Sequence, residues 1–184
     1  MSLEELWRLF PVVLRDNDPG YRHWYDDEAR RLHRLLGDRV VRLSHIGSTA
    51  VPGLRAKPTV DLLLETEALG DSERLAGELR AAGWTVMSAQ RDPFPQISLN
   101  KGYTPDGFAD KVFHLHVRQP GDWGEPYFRD YLIDHSDVAA EYATLKTVLA
   151  ARFTYDRDAY TTAKADFVTR VTRLARQAYS GRYR

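Results

Sequence analysis

The sequence predicts an α/β (α+β) fold, a mixed β-sheet flanked by helices and followed by a helical C-terminal part. Two observations predict it. Between Val40 and Leu64, two β-prone runs flank a turn of small residues, and further strand patterns continue to Arg118. Beyond about residue 120 the apolar residues recur every three or four positions instead of every two. With 184 residues, 43% of them hydrophobic and 11% aromatic, the chain can bury a sizeable core and is read as a single domain. In that reading residues from about 9 to 120 form the sheet core and those from about 121 to 179 form docked helices.

Taken in order, the apolar run Leu9 to Leu14 reads as a first strand. Asp18-Pro19 then supplies a cap and a proline for a helix that carries Trp24, Tyr25, Leu32, Leu35 and Leu36 and stops at Gly37. His23 and His33 in that helix are surface or packing residues. After strands at Val40–Ile46 and Thr59–Leu64, Asp71-Ser72 opens a helix with Leu75, Leu79 and Ala82 on one face, ended by Gly83. Trp84–Met87 and Gln96–Lys101 read as strands, separated by loop residues Ser88 to Pro95 and followed by the turn signals Gly102, Pro105 and Gly107. In the next strand, Lys111 to Arg118, Phe113, Leu115 and Val117 make an apolar face, and Val112, His114 and His116 make the other. Three helices follow: a short one around Tyr127–Leu132, one from Ser136-Asp137 to about Arg152, and a long amphipathic one from Tyr160 to Ala178. Ser180 to Arg184 is expected to fray.

The stretch from His45 to Glu65 carries the chemistry. A strand ends on Gly47-Ser48-Thr49, where Ser48 or Thr49 can cap a short helical turn and Gly47 permits close approach of an anion to the backbone. Arg55 and Lys57 place cations nearby, and the second strand returns carrying Asp61. An ionised acid in an apolar strand is costly unless it is paired or coordinates something, so Asp61 is a candidate functional acid. His114 and His116 lie about 6.5–7 Å apart on one strand face, from which both rings can converge on one ion or one anion, or simply bond to their neighbours. Tyr142 with Lys146, and Tyr160 with Lys164, repeat an i,i+4 pairing. Either each lysine stem covers its tyrosine, or one lysine points into a cleft towards a phosphate.

The run His45-Ile46-Gly47-Ser48-Thr49-Ala50-Val51-Pro52-Gly53-Leu54-Arg55-Ala56-Lys57-Pro58-Thr59-Val60-Asp61 resembles the signature of the GrpB family, whose fold is similar to that of the nucleotidyltransferase superfamily. His114-Leu115-His116, Phe128 to Leu132, Tyr142 to Lys146 and Tyr160 to Phe167 match in the same order. The resemblance implies a nucleotidyltransferase-like sheet, with Gly47, Ser48, Thr49, Arg55, Lys57, Lys101, Lys146 and Lys164 as candidate nucleotide or phosphate ligands. The family has arginine and aromatic residues around Lys101, where Leu99-Asn100 precede it here.

Nucleotidyl transfer of that kind needs carboxylates to hold metals that neutralise the developing charge. Asp61 matches the first acid of the superfamily's acid-x-acid pair, but the second position is Leu63, and four residues of strand carry Glu65 about 13 Å away. The expectation is one Mg²⁺ or Mn²⁺ on catalytic Asp61, assisted by His114 and His116 as metal ligands, acting on a nucleoside triphosphate and a small acceptor. A non-catalytic module binding a nucleotide or phosphorylated small molecule is the alternative. So is a partner domain for coenzyme A biosynthesis, since the family also occurs fused to a kinase of that pathway.

Lys+Arg 26 against Asp+Glu 26 leaves no global field to recruit nucleic acid or an anionic membrane. The absence of cysteine excludes disulfides, thiolate metal sites and a cysteine nucleophile. Met1 to Glu5 does not read as a signal peptide and no apolar run approaches a membrane span, so a cytoplasmic location is expected.

Overall fold

In the computed structural model, which describes residues 3–184, five strands form one mixed sheet. They are β1 (Arg42–Ile46), β2 (Val60–Glu65), β3 (Thr85–Gln90), β4 (Gln96–Thr104) and β5 (Gly107–Arg118), in the spatial order β1-β2-β5-β4-β3. Neighbours are antiparallel except β2 and β5, which run parallel. The helices are α1 (Leu3–Leu9), α2 (Gly20–Leu36), α3 (Ser72–Ala81), α4 (Gly124–Asp134), α5 (Ser136–Arg152), α6 (Arg157–Ala163) and α7 (Ala165–Ala178).

Alternation along the strands sorts the two faces. Val60, Leu62, Leu64, Phe113, Leu115, Val117, Ile97 and Leu99 share a buried cluster with Leu32 and Leu36 of α2 and with Leu75 and Leu79 of α3. Slipping any of these strands by one residue would move its polar set into that layer, so burial fixes the register. Asp61, Leu63, His114 and His116 consequently occupy the other face. Helices α4 to α7 lie on that side, packing Phe128, Leu132, Tyr142, Phe167 and Val171 against Val51 and Leu54, just beyond the small-residue turn.

The expected strand at Leu9–Leu14 does not form. Helix α1 ends at Leu9, and the next residues are irregular, with a backbone bond from Val12 to Thr154 (2.7 Å) and an isolated bridge between Arg15 and Ala56. The outer edge of β1 is already occupied: Tyr25 Oη donates to the Leu43 carbonyl (3.0 Å) and Arg129 to that of His45 (2.9 Å). The apolar side chains of this segment instead pack elsewhere, Phe10 against Tyr103 and Phe108, and Val12 with Leu149 and Tyr160. Strand β3 runs on to Gln90, three residues into the expected loop. The long C-terminal helix is broken at Lys164, whose N–H reaches back three residues to Thr161, a tightened last turn that separates α6 from α7.

The C-terminal residues expected to fray are pinned. Tyr183 Oη donates to Asp130 (2.5 Å), and its carbonyl accepts from Arg42 (3.1 Å). Arg42 also makes a two-pronged pair with Glu65, which is 1% exposed and takes a further bond from the Gly121 N–H (3.0 Å). Replacing one member of such a pair strands the other charge in the interior. Arg42→Met is therefore expected to lower unfolding free energy by about 3 kcal/mol in urea titrations, and Arg42→Met with Glu65→Leu to recover most of that loss. Wild-type stability in the single variant would contradict this reading of the pair.

Candidate functional site

The antiparallel register of β1 and β2 sets Ile46 opposite Asp61, so the chain leaves β1 directly above the acid. Gly47 takes φ +72° there, and a Cβ at that position would overlap Asp61 Oδ2 and stand 3.0 Å from Cγ. Glycine is required twice, for the backbone angle and for the space. Ser48–Ala50 then form a single 3₁₀ turn whose cap is Gly47, not Ser48 or Thr49, and a three-residue turn is too short to act as a helix N-terminus for an anion. The Ser48 hydroxyl has another use: Lys146 Nζ donates to it (2.9 Å) and to the Arg55 carbonyl.

Parallel pairing of β2 with β5 places Asp61 beside His114 and Leu63 beside His116. Asp61 Oδ1 is 3.0 Å from His114 Nδ1, and His114 Nε2 is 2.8 Å from Tyr103 Oη. Arg157 Nη2 donates to the same phenol oxygen (2.9 Å), leaving the phenol proton for His114 Nε2. The donor sequence thus assigns the histidine proton to Nδ1, directed at Asp61. Burial works against the Asp61 carboxylate, but the His114 hydrogen bond, with electrostatic support from His114, His116 and Lys57, outweighs it and holds the acid below its ordinary value. Burial lowers the His116 imidazole, with Asp61 opposing and His114 and Arg118 adding to the effect.

Three lysines lie close to one another, and two of them, Lys57 and Lys164, interact with this acid. Burial, together with Arg157 and Lys164, lowers Lys57 to about 7. Burial, with Lys164 and Lys57, brings Lys146 to about 7, and burial with Arg157 brings Lys164 to about 8 against the pull of Asp61. None of the three forms an ion pair among the described residues. Their ammonium groups lie instead near aromatic rings: Lys57 and Lys164 over Tyr160 (5.5 and 4.2 Å) and Lys146 over Tyr142 (4.6 Å). Beside Lys164 opens a cleft of about 1060 Å³, lined by Gly47, Asp61, His116, Tyr142, Lys164 and Arg173 among others.

The structure therefore brings together Gly47, Ser48, Lys57, Asp61, His114, His116, Lys146 and Lys164. Three expected phosphate ligands lie elsewhere. Thr49 is 6% exposed, bonded to His45 Nε2 (3.1 Å) and to the Thr59 carbonyl (3.2 Å), and so ties the turn to β2. Arg55 turns outward to Asp16 (3.1 Å). Lys101 pairs with Phe113 across β4 and β5, which puts it on the α2 face, where it meets the buried Glu28 at 2.6 Å. Tyr103 and Arg157 are the residues that the sequence reading missed. Gly102 explains the first: it sits at a register shift with φ +90°, where any Cβ would overlap the Lys111 carbonyl. That bulge turns the strand over, so Lys101 points to α2 and Tyr103 to His114. A glycine inside a strand pattern was the available signal.

The donor set does not fit a two-metal centre. Leu63 is fully buried in the place of the second acid, His114 uses both ring nitrogens, and no group of three His, Asp or Glu side chains among the described residues converges on one point.

The profile of the GrpB protein family matches residues 11–174. The chain belongs to the GrpB family. It is 36% identical over 157 residues to a UPF0157 protein of Pseudomonas aeruginosa, 84% of this chain and 63% of that one. It is 32% identical over 164 residues to the glutamate-rich protein GrpB of Alkalihalophilus pseudofirmus, 87% of this chain and 93% of that one. A dephospho-CoA kinase of Mycolicibacterium paratuberculosis is 28% identical over 176 residues, 84% of this chain but only 43% of the kinase. Among solved structures, the conserved protein GrpB of Enterococcus faecalis superposes with a TM-score of 0.79 at 27% identity, covering 91% of this chain and 99% of that one. The mixed sheet flanked by helices, with its glycine turn over the strand acid, is the α/β fold class expected from the sequence.

In this GrpB-family site, Gly47→Ala is expected to cost about 1–3 kcal/mol from backbone strain alone. It should also push the carboxylate off His114, visible as a shifted His114 ring resonance in NMR. An unchanged resonance would show that Gly47 does not set the acid's position.

Proposed function

We propose that this GrpB-family protein binds a nucleotide or phosphorylated small molecule, its phosphate resting against Lys164 with Lys57 and Lys146 behind. One observation carries the reading: three lysines crowd one another in a poorly solvated region, and a single carboxylate, Asp61, acts on two of them, Lys57 and Lys164. Burial of charge is costly without countercharge, and a phosphate supplies both the charge and the acceptor oxygens. Nucleotidyl transfer with Mg²⁺ or Mn²⁺ on Asp61 has the glycine turn and the strand acid in its favour. It lacks the second carboxylate, so binding is the better-supported reading.

Calorimetry tests it with ATP, ADP, pyrophosphate and unphosphorylated adenosine. The phosphorylated ligands are expected to bind and adenosine to be far weaker, and Lys164→Ala should weaken the former by about tenfold or more. Equal binding of adenosine and ATP would contradict the assignment.

pH separates ligand binding from stability. With Lys57 and Lys146 near 7 and Lys164 near 8, affinity for the anion should fall as pH rises from about 6 to 9, because the protonated amines bind it. The ligand-free protein behaves oppositely. Over about pH 7 to 9 the unfolded lysines, with an ordinary value of 10.5, hold protons that the folded ones have released, so these groups make stability rise with pH. Affinity that is flat across this range would remove the lysines from the site.

One comparison favours a second reading. Because the match to the dephospho-CoA kinase covers 43% of that protein, a related chain is part of a larger kinase polypeptide, and this one would act beside such a kinase in trans. Addition of the chain to the kinase should then change its yield or rate; no change in either would dismiss this reading.

A further inference from the structure

We infer that the cleft takes its phosphate ester as the free polyanion, with Lys57, Lys146 and Lys164 standing in for the divalent cations of a two-metal site. The inference rests on the binding reading above and specifies the chemical form of the ligand. Four features of the cleft support it.

The first is the acid inventory on the cleft face of β2. Asp61, Leu63 and Glu65 alternate onto that face, but Leu63 is fully buried and Glu65 is already engaged by Arg42 and the Gly121 N–H. The second is Asp61 itself, whose Oδ1 is taken by His114 while Oδ2 lies against Gly47. Third, His114 is held at both ends, by Asp61 and by Tyr103, and Arg157 fixes Tyr103 in turn. That leaves one carboxylate oxygen, the His116 ring and Glu125, which Arg118 engages at 2.7 Å; no three such groups converge among the described residues, far from the near-octahedral oxygen shell that Mg²⁺ requires. Fourth is charge. Lys146 reaches the Ser48 hydroxyl, Lys164 lines the cleft, and Lys57 shares the Tyr160 ring with Lys164. A divalent cation would enter a region already rich in ammonium and guanidinium groups. An anion entering the cleft meets Lys164 and Arg173 on its lining, with Lys57 and Lys146 close to Lys164.

The two forms of ligand are separable because Mg²⁺ chelation cancels part of a polyphosphate's charge before it reaches the lysines. Tripolyphosphate and ATP, titrated into the full chain by calorimetry at constant ionic strength, should bind in excess EDTA, and saturating Mg²⁺ should weaken both by about tenfold. Asp61→Asn removes a like charge and should tighten the EDTA-form binding, whereas Lys164→Gln should weaken it; circular dichroism reports whether each variant is folded. Binding that requires Mg²⁺ or tightens with it, and is lost in a folded Asp61→Asn variant, would overturn the inference while leaving the phosphate-binding reading intact. Failure of ATP and tripolyphosphate to bind in either condition would overturn both.

Discussion

The contact between Gly47 and Asp61 decides how everything else in the cleft can be arranged. Because β1 pairs antiparallel with β2, the residue following Ile46 must pass over the Asp61 side chain, and only a residue without a Cβ can do so. With Oδ2 covered by the turn, Oδ1 is the oxygen left for His114, and the His114–Tyr103–Arg157 series extends from it. Arg157 opens α6 and also bonds to the Phe10 carbonyl (3.2 Å), so the same series ties the N-terminal segment and the C-terminal helices to the sheet. The acid is therefore a structural junction as well as a carboxylate that acts on Lys57 and Lys164.

The lysines pose the opposite problem. Lys146, 2% exposed, has two oxygen acceptors and an aromatic ring but no anion; Lys57 and Lys164 share one ring. Cation–π contact offsets part of the desolvation of an ammonium group, not all of it. Depressed protonation is how the ligand-free fold tolerates the cluster, and an arriving phosphate removes the reason for it. On the proposed reading, proton uptake and anion uptake would go together.

Much of this was legible in the sequence, and the reasons differ by residue. Period-two alternation put His114 and His116 on the face opposite Phe113, Leu115 and Val117, which is where the sheet holds them, because burial of the apolar set leaves no other choice. The glycine turn was visible from its small residues and Asp61 as an acid in an apolar run, whereas the missing second acid at Leu63 was visible only through the family resemblance. Lys101 was assigned to the phosphate through the family resemblance, although alternation with Ile97 and Leu99 already puts it on the α2 face. Tyr103 reaches His114 only through the bulge at Gly102, and Arg157 arrives from more than fifty positions away. The Leu9–Leu14 run has strand composition, but at the β1 edge Tyr25 and Arg129 already take backbone carbonyls, and Ser180–Arg184 has the composition of a frayed end but is held by Tyr183 and Arg182. Composition describes a segment's own preferences; partners decided these cases.

Proton uptake on binding is the most direct measurement of the central claim that the depressed lysines form an anion site. Tripolyphosphate titrated into the ligand-free chain at about pH 8, in buffers of different ionisation enthalpy, gives the number of protons exchanged per ligand bound. Near that pH Lys57, Lys146 and Lys164 are partly or largely unprotonated, so binding should draw protons from the buffer. Binding with no proton uptake, or with protons released, would contradict the account.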